Sequence, residues 1–213
     1  MKRRTFVGVA VASLSMPAAA QMAPDLSQVA PGSLGSPFMT TQRTGRGALG
    51  EWRVVLDPSA ATGRAIEQTS ADPTDYRFPL AVLDASPLRN VEASVRFKAV
   101  DGKVDRAGGL VVRLIDSDNY YVVRANALED NVNLYRVVKG VRQELRGTSV
   151  KVPSGEWHML GLKSQGKLLT VTFDGKTLFS HEDGTFVGPG KVALWTKADS
   201  ITRFEALEVK SLD

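Results

Sequence analysis

An all-β chain folded as a two-sheet antiparallel jelly-roll sandwich is what three observations predict. First, Val91, Ala93, Val95, Phe97 and Ala99 alternate with Glu92, Ser94, Arg96 and Lys98, a period of two that turns one face inward and the other to water. Second, short strand-like runs separated by turn residues continue to the C-terminus, and no helical stripe interrupts them. Third, about a dozen such runs in one stretch of 213 residues are too many for a single open sheet. Two stacked antiparallel sheets bury them, and an immunoglobulin-like sandwich has fewer strands in fewer residues.

The elements follow from their turns. Strands are expected at Trp52 to Leu56, Ala65 to Thr69 and Arg77 to Leu83, with Pro79 pointing to an edge or a bulge in the third. Val91 to Val100 comes next. Ala107 to Asp116 and Tyr120 to Ala125 are joined by Ser117-Asp118, and Asn131 to Val138 and Val141 to Leu145 by Lys139-Gly140. Trp157 to Ser164, Lys167 to Phe173 and Lys176 to Ser180 form a meander whose second turn, Asp174-Gly175, is a two-residue hairpin signal. Lys191 to Thr196 and Ile201 to Val209 close the domain. The apolar phase slips between Ala206 and Leu207, so a bulge or a strand end is expected there.

Residues 1–20 read as an export signal: basic Lys2, Arg3 and Arg4, a short apolar run from Val7 to Met16, then Pro17 and Ala18-Ala19-Ala20. Arg3-Arg4-Thr5-Phe6-Val7 resembles a twin-arginine signal; an ordinary secretory signal with two arginines is the alternative. The apolar run is too short to span a bilayer, so no membrane insertion of the mature chain is expected. A periplasmic or secreted location is. Residues 21–49, with Pro24, Pro31, Pro37, Gly32 and Gly35, read as a flexible N-terminal arm, and 50–213 as the sandwich domain.

The chain has 27 Lys and Arg against 23 Asp and Glu, a net charge of +4. Three of the basic residues sit in the leader, so the remainder is close to neutral. No basic run interleaves with aromatics, and no nucleic-acid partner is expected. With no cysteine, thiolate zinc sites and disulfides are excluded.

Pairing through Ser117-Asp118 puts Arg113 opposite Val122 and Val111 opposite Arg124. Leu110, Val112, Leu114, Tyr121, Val123 and Ala125 then face the core, and Arg113, Tyr120 and Arg124 face away. In the next hairpin Val132, Leu134, Val138, Val141 and Leu145 face in, and Asn131, Asn133, Tyr135, Arg142 and Glu144 face out. Trp195 and Lys197 point outward near the end. Guanidinium, amide and aromatic groups on one face suit a sugar: rings cover its apolar side and polar groups bond its hydroxyls. The candidate ligand-binding residues are Arg113, Tyr120, Arg124, Asn126, Asn131, Asn133, Trp195 and Lys197, and the expected partner is a glycan or small sugar. Solvated outer faces carry such residues in any sandwich, so a structural role is the competing reading for each.

Other motifs carry less. Gly45-Arg46-Gly47-Ala48-Leu49-Gly50 fits GxGxxG but precedes a strand rather than a helix, which makes it a turn. Ser180-His181-Glu182-Asp183 cannot form a relay on an extended chain, and His158 is expected to be a packed or rim residue. Asp116-Ser117-Asp118-Asn119 and Glu129-Asp130-Asn131 could hold calcium or simply make tight turns. No carboxylate pair is singled out for catalysis, and no cofactor is expected.

Ala107-Gly108-Gly109-Leu110, Asp118-Asn119-Tyr120-Tyr121 with Arg124-Ala125-Asn126, Val152-Pro153-Ser154-Gly155-Glu156-Trp157-His158, and Leu194-Trp195-Thr196-Lys197-Ala198-Asp199-Ser200 resemble the concanavalin A-like lectin/glucanase group. Within it they resemble the bacterial laminin-G-like and 3-keto-disaccharide hydrolase (family 16 glycoside hydrolase-like) branch, over residues 50–213. The resemblance implies a jelly roll with a concave ligand face associated with glycans. The Glu-x-Asp-x-x-Glu strand signature of true family 16 glucanases is absent. A sugar-recognising module is therefore the first expectation. An enzyme on glycosides or 3-keto-disaccharides, with Glu129 or Glu144 as acid/base, and an envelope protein that binds a partner are the alternatives.

Overall fold

A computed structural model describes residues 21–32, 34 and 38–213; the expected export signal lies outside them. Among the described residues fifteen strands follow one another. They are β1 (Gln21–Met22), β2 (Phe38–Gly45), β3 (Trp52–Leu56), β4 (Arg64–Gln68), β5 (Arg77–Leu83), β6 (Val91–Asp101), β7 (Ala107–Asp116) and β8 (Asn119–Asn126), then β9 (Asn131–Val138), β10 (Val141–Ser149), β11 (His158–Gln165), β12 (Leu168–Phe173), β13 (Lys176–Glu182), β14 (Lys191–Trp195) and β15 (Ile201–Ser211). Among the described residues no helix is long and apolar enough to cross a membrane.

The strands form two antiparallel sheets. The first runs β13-β12-β11-β6-β15-β4-β3, with β1 added beside β15, and the second runs β10-β9-β8-β7-β14-β5-β2. The main core lies between them. The inward set of β6, from Val91 to Ala99, meets Leu110, Val112, Tyr121 and Val123 of the facing sheet, as the alternation predicts. The slip near the end of the chain is also present: β15 changes register against β6 between Glu205 and Glu208, and Ala206 takes a φ of 47°.

Three expectations are corrected. Residues 21–49 do not all form a flexible arm. Gln21 and Met22 pair with Lys210 and Val209, β2 pairs along β5, and Leu26 is buried in the core. Pro24, Pro31 and Gly32 lie in turns and irregular stretches between β1 and β2. Second, Pro79 is not on an edge, because β5 lies between β14 and β2. Beyond the Trp195–Leu80 pair the contact is one-sided: the Thr196 N–H donates to the Pro79 carbonyl at 3.1 Å, and proline has no N–H to return.

The third concerns Arg113. Asp116 pairs with Asn119 as expected, but the ladder slips between Val112 and Asp116, so that Val111 faces Val122 and Gly109 faces Arg124. Arg113 sits in the slip with a φ of 52°. Extra residues on one strand reset the alternation. Leu114 consequently packs on the outer face of its sheet rather than in the main core. Arg113 leaves that face: its Nε donates to the Arg89 carbonyl at 3.1 Å and its Nη1 to the Phe186 carbonyl.

The second sheet curls. Five ladder steps separate β10 from β5, about 24 Å in a flat sheet. Yet the Tyr76 hydroxyl, just before β5, accepts from the Arg142 backbone N–H at 2.8 Å and donates to the Gly140 carbonyl at 3.0 Å. The outer face of this sheet is thus a trough whose two flanks touch. The first sheet's outer face is ionic instead. Asp57 receives both Lys98 and Arg203, Arg203 also holds Glu67, and Trp157 covers the Lys98 ammonium at 4.8 Å.

Candidate functional site

The floor of the trough is a second apolar cluster. Phe78 stacks on Trp195 with ring centres 5.3 Å apart, and Tyr120, Val122, Tyr135 and Ala193 pack beside them. Gly109 makes room: a Cβ there would lie 2.9 Å from the Trp195 ring. The Arg142 guanidinium lies across this floor, 4.5 Å from the Tyr135 ring centre, 4.8 Å from Phe78 and 6.0 Å from Trp195. A planar cation over aromatic faces is attracted by their quadrupoles.

Beneath that cap Trp195 and Tyr120 have no exposed surface. They are the floor of the trough and present no ring to a ligand in this conformation. The Trp195 indole N–H donates to the Tyr120 hydroxyl at 3.3 Å, which also meets the Thr44 hydroxyl at 2.7 Å. Burial pushes the Tyr120 phenol up to about 12.

Further along the strands the trough becomes polar. The Arg124 Nη2 donates to Glu129 at 2.7 Å and to the Asn131 side-chain Oδ1 at 2.8 Å, and the Asn131 Nδ2 donates to Glu129 at 2.9 Å. The guanidinium also lies 5.5 Å over the Tyr135 ring. The Asn133 amide donates to Glu144 at 2.9 Å and to the Tyr135 hydroxyl at 3.1 Å. Gly147, opposite Asn133, is required here, since a Cβ would run into that amide. Lys197 bridges Asp75 at 2.7 Å and Asp105 at 2.9 Å, and the Asn126 amide donates to Asp105 at 3.0 Å.

Seven of the eight residues expected from sequence therefore share this face: Tyr120, Arg124, Asn126, Asn131, Asn133, Trp195 and Lys197. Arg113 does not. Sequence reasoning missed Asp75 and Asp105, and gave no site role to Arg142 although it placed that residue outward. Asp105 stands in an irregular loop with no periodicity to orient it. The loop is pinned by Asp199, whose carboxylate accepts the backbone N–H groups of Lys103 (2.7 Å), Val104 (3.1 Å) and Asp105 (3.0 Å).

Charge is ordered by depth. Burial pushes the Asp105 carboxyl up, partly offset by Lys197 and Arg124. Burial works against the Lys197 ammonium, but the Asp105 and Asp75 carboxylates outweigh it and hold its pKa above the usual lysine value. Burial likewise acts against Glu129, and bonds from Asn131 and Arg124 overturn it, so Glu129 stays below the ordinary carboxylate range. The Lys197 contact does the same for Asp75.

Asp105 and Glu129 flank one guanidinium, at 3.9 and 2.7 Å. A glycosidase needs two carboxylates that reach the scissile bond. Asp105 is 1% exposed, so this pair offers one accessible acid, not two.

The acidic loops expected to hold calcium or make turns are used internally. Asp116 accepts the Asp118 N–H, and Asp130 binds Lys151 and the Val152 N–H. Among the described residues no group of three or more His, Cys, Asp or Glu is placed to hold a metal ion. His158 is packed between Phe173 and Phe97 and bonded to Asp174 at 2.9 Å.

No protein-family model matches the chain, and no curated protein matches it. Solved structures do. A carbohydrate-binding module, CBM66 from Bacillus subtilis, superposes with a TM-score of 0.63 at 17% identity, covering 80% of this chain and 95% of that one. Domain 4 of AbnA, a GH43 extracellular arabinanase from Geobacillus stearothermophilus solved with arabinotriose, gives 0.58 at 14% identity over 92% and 94%. The Bacillus licheniformis β-glucanase gives 0.57 at 10% over 93% and 100%. The fold is a two-sheet antiparallel jelly-roll sandwich. These identities show the fold alone.

Proposed function

We propose that this chain is an exported carbohydrate-binding module that takes a sugar at the polar end of the trough. The observation that carries the reading is the fixed cluster there. Arg124, Glu129 and Asn131 are locked by mutual bonds, Asn133 by Glu144 and Tyr135, and Lys197 by Asp75 and Asp105, all on the strands of one sheet or the loops that join them, a preorganised polar surface of the kind that bonds hydroxyls at little ordering cost. The fold neighbours that are carbohydrate-binding domains support it. We assign the chain to the bacterial laminin-G-like branch on the motifs around Asn119-Tyr120-Tyr121 and Trp195-Thr196-Lys197, and its location to the periplasm or exterior on the residues 1–20 signal. Binding rather than hydrolysis is favoured by the inaccessible Asp105 carboxyl.

The test is a glycan array followed by titration calorimetry on the chain from Gln21. Binding of at least one saccharide is expected, weakened about tenfold or more by Asn131→Ala or Glu129→Gln, the scale of one or two lost hydrogen bonds to a charged group. Binding untouched by both substitutions would move the site elsewhere.

A further inference from the structure

The cations of this site point inward and its acids outward. The Arg124 side chain is 3% exposed and Lys197 13%, whereas Glu129 is 47% and Asp75 74% exposed, and Glu144 is exposed as well. Each of these three acids commits one oxygen to the protein: Asp75 to Lys197, Glu129 to Arg124 and Asn131, Glu144 to Asn133. Their second oxygens accept no bond from the described residues. Counting Asp105, four carboxylates stand against Arg124, Arg142 and Lys197, and exposed Arg46 also acts on Asp75. Two buried donors, Arg124 Nε and Arg142 Nη1, also lack an acceptor.

Free acceptors and unanswered donors call for a partner that does both. A hydroxyl donates one bond and accepts two; a carboxylate donates none and an ammonium accepts none. We propose that the site selects an uncharged saccharide through vicinal hydroxyls, donated to the rim carboxylates, and rejects the corresponding uronate sugar. A uronate would set its charge against Asp75, Glu129 and Glu144: Arg124 and Lys197 are already paired with acids, Arg142 lies over the aromatic floor, and Arg46 beside Asp75 is one exposed cation against three rim carboxylates. Both Asp75 and Glu129 are held below the ordinary carboxylate range, so the rim is ionised at neutral pH. This rests on the reading of the trough as a sugar site.

The experiment is calorimetry with matched trimers of glucose, galactose and mannose and of glucuronate, galacturonate and mannuronate, at ~0.02 and ~1 M salt. The neutral member of a binding pair is expected to bind roughly tenfold or more tighter at low salt, with the gap narrowing at high salt as the charges are screened. The double variant Asp75→Asn, Glu129→Gln is expected to shrink the ratio even where it weakens both ligands. A uronate that binds as tightly as its neutral partner, or a ratio unmoved by the double variant and by salt, overturns the inference and leaves the sugar site standing. Failure of every saccharide, in this set and on the array, sinks the sugar site and this inference together.

Discussion

Arg142 shows how one side chain decides what a trough can offer. Its guanidinium covers Phe78, Tyr135 and Trp195 at 4.5–6.0 Å, and its backbone is clasped by Tyr76. Arg142→Ala leaves the clasp but uncovers the rings. Tryptophan emission is expected to shift to the red, and urea unfolding to show a loss of about 1–2 kcal/mol, the scale of a partly desolvated cation–π contact. Arg142→Lys keeps the charge without the planar stack and should recover only part of both. Unchanged emission in Arg142→Ala would mean that Trp195 is shielded by something other than this side chain. The role was out of reach of the sequence, because alternation says that Arg142 and Trp195 share a face and nothing about how far the sheet bends. The same alternation put Arg124, Asn131 and Asn133 together correctly, since their strands pair without a break.

At the scale of elements, legibility ends where pairing stops being regular. β8 and β9 keep one register from Tyr120 to Asn126, so every residue's face follows from its parity. β7 does not: the slip between Val112 and Asp116 carries Arg113 out of the trough, and neither residue is a glycine that would have announced a bulge. The loop before β7 is a second such place. It is ordered by Asp199, which lies on the far side of Lys197 in sequence and receives three backbone N–H groups. Bonds to those amides, acting against burial, hold the Asp199 carboxyl below the ordinary range. A folded-state pKa below the unfolded value stabilises the fold above the unfolded pKa of about 3.9, and that contribution disappears as pH falls through the folded value. Asp199→Asn is therefore expected to cost about 1.5–3 kcal/mol at pH 7 and progressively less below pH 4. Amide exchange at Lys103, Val104 and Asp105 should quicken at neutral pH. Exchange rates at those three positions equal to the parent's would show that the loop is held by Gly102 and its own turn instead.

For the whole molecule, the N-terminal segment decides what counts as the domain. Composition alone separates residues 21–49 from the rest, because prolines and glycines there hide two short strands. In the structure this segment closes both sheets. β1 extends β15, Leu26 fills the core, and β2 covers β5 from Thr40 to Gly45 while Thr44 bonds Tyr120 in the trough floor. A chain beginning at Gly50 would expose the full ladder edge of β5, a strand whose every residue is buried. It would also leave the buried Tyr120 hydroxyl short of a partner. Loss of the Leu26 side chain alone is worth about 1.5–3 kcal/mol, and an open apolar edge strand invites association. Against a total stability of about 5–15 kcal/mol, the truncated chain is expected either to aggregate or to melt at least ~10 °C below a chain beginning at Gln21, since each kcal/mol shifts a domain of this size by about 2–4 °C. Scanning calorimetry of the two chains, with sedimentation to detect association, makes the comparison. Equal melting temperatures in two monomeric chains would return the segment to the status of an arm and set the domain boundary near Gly50.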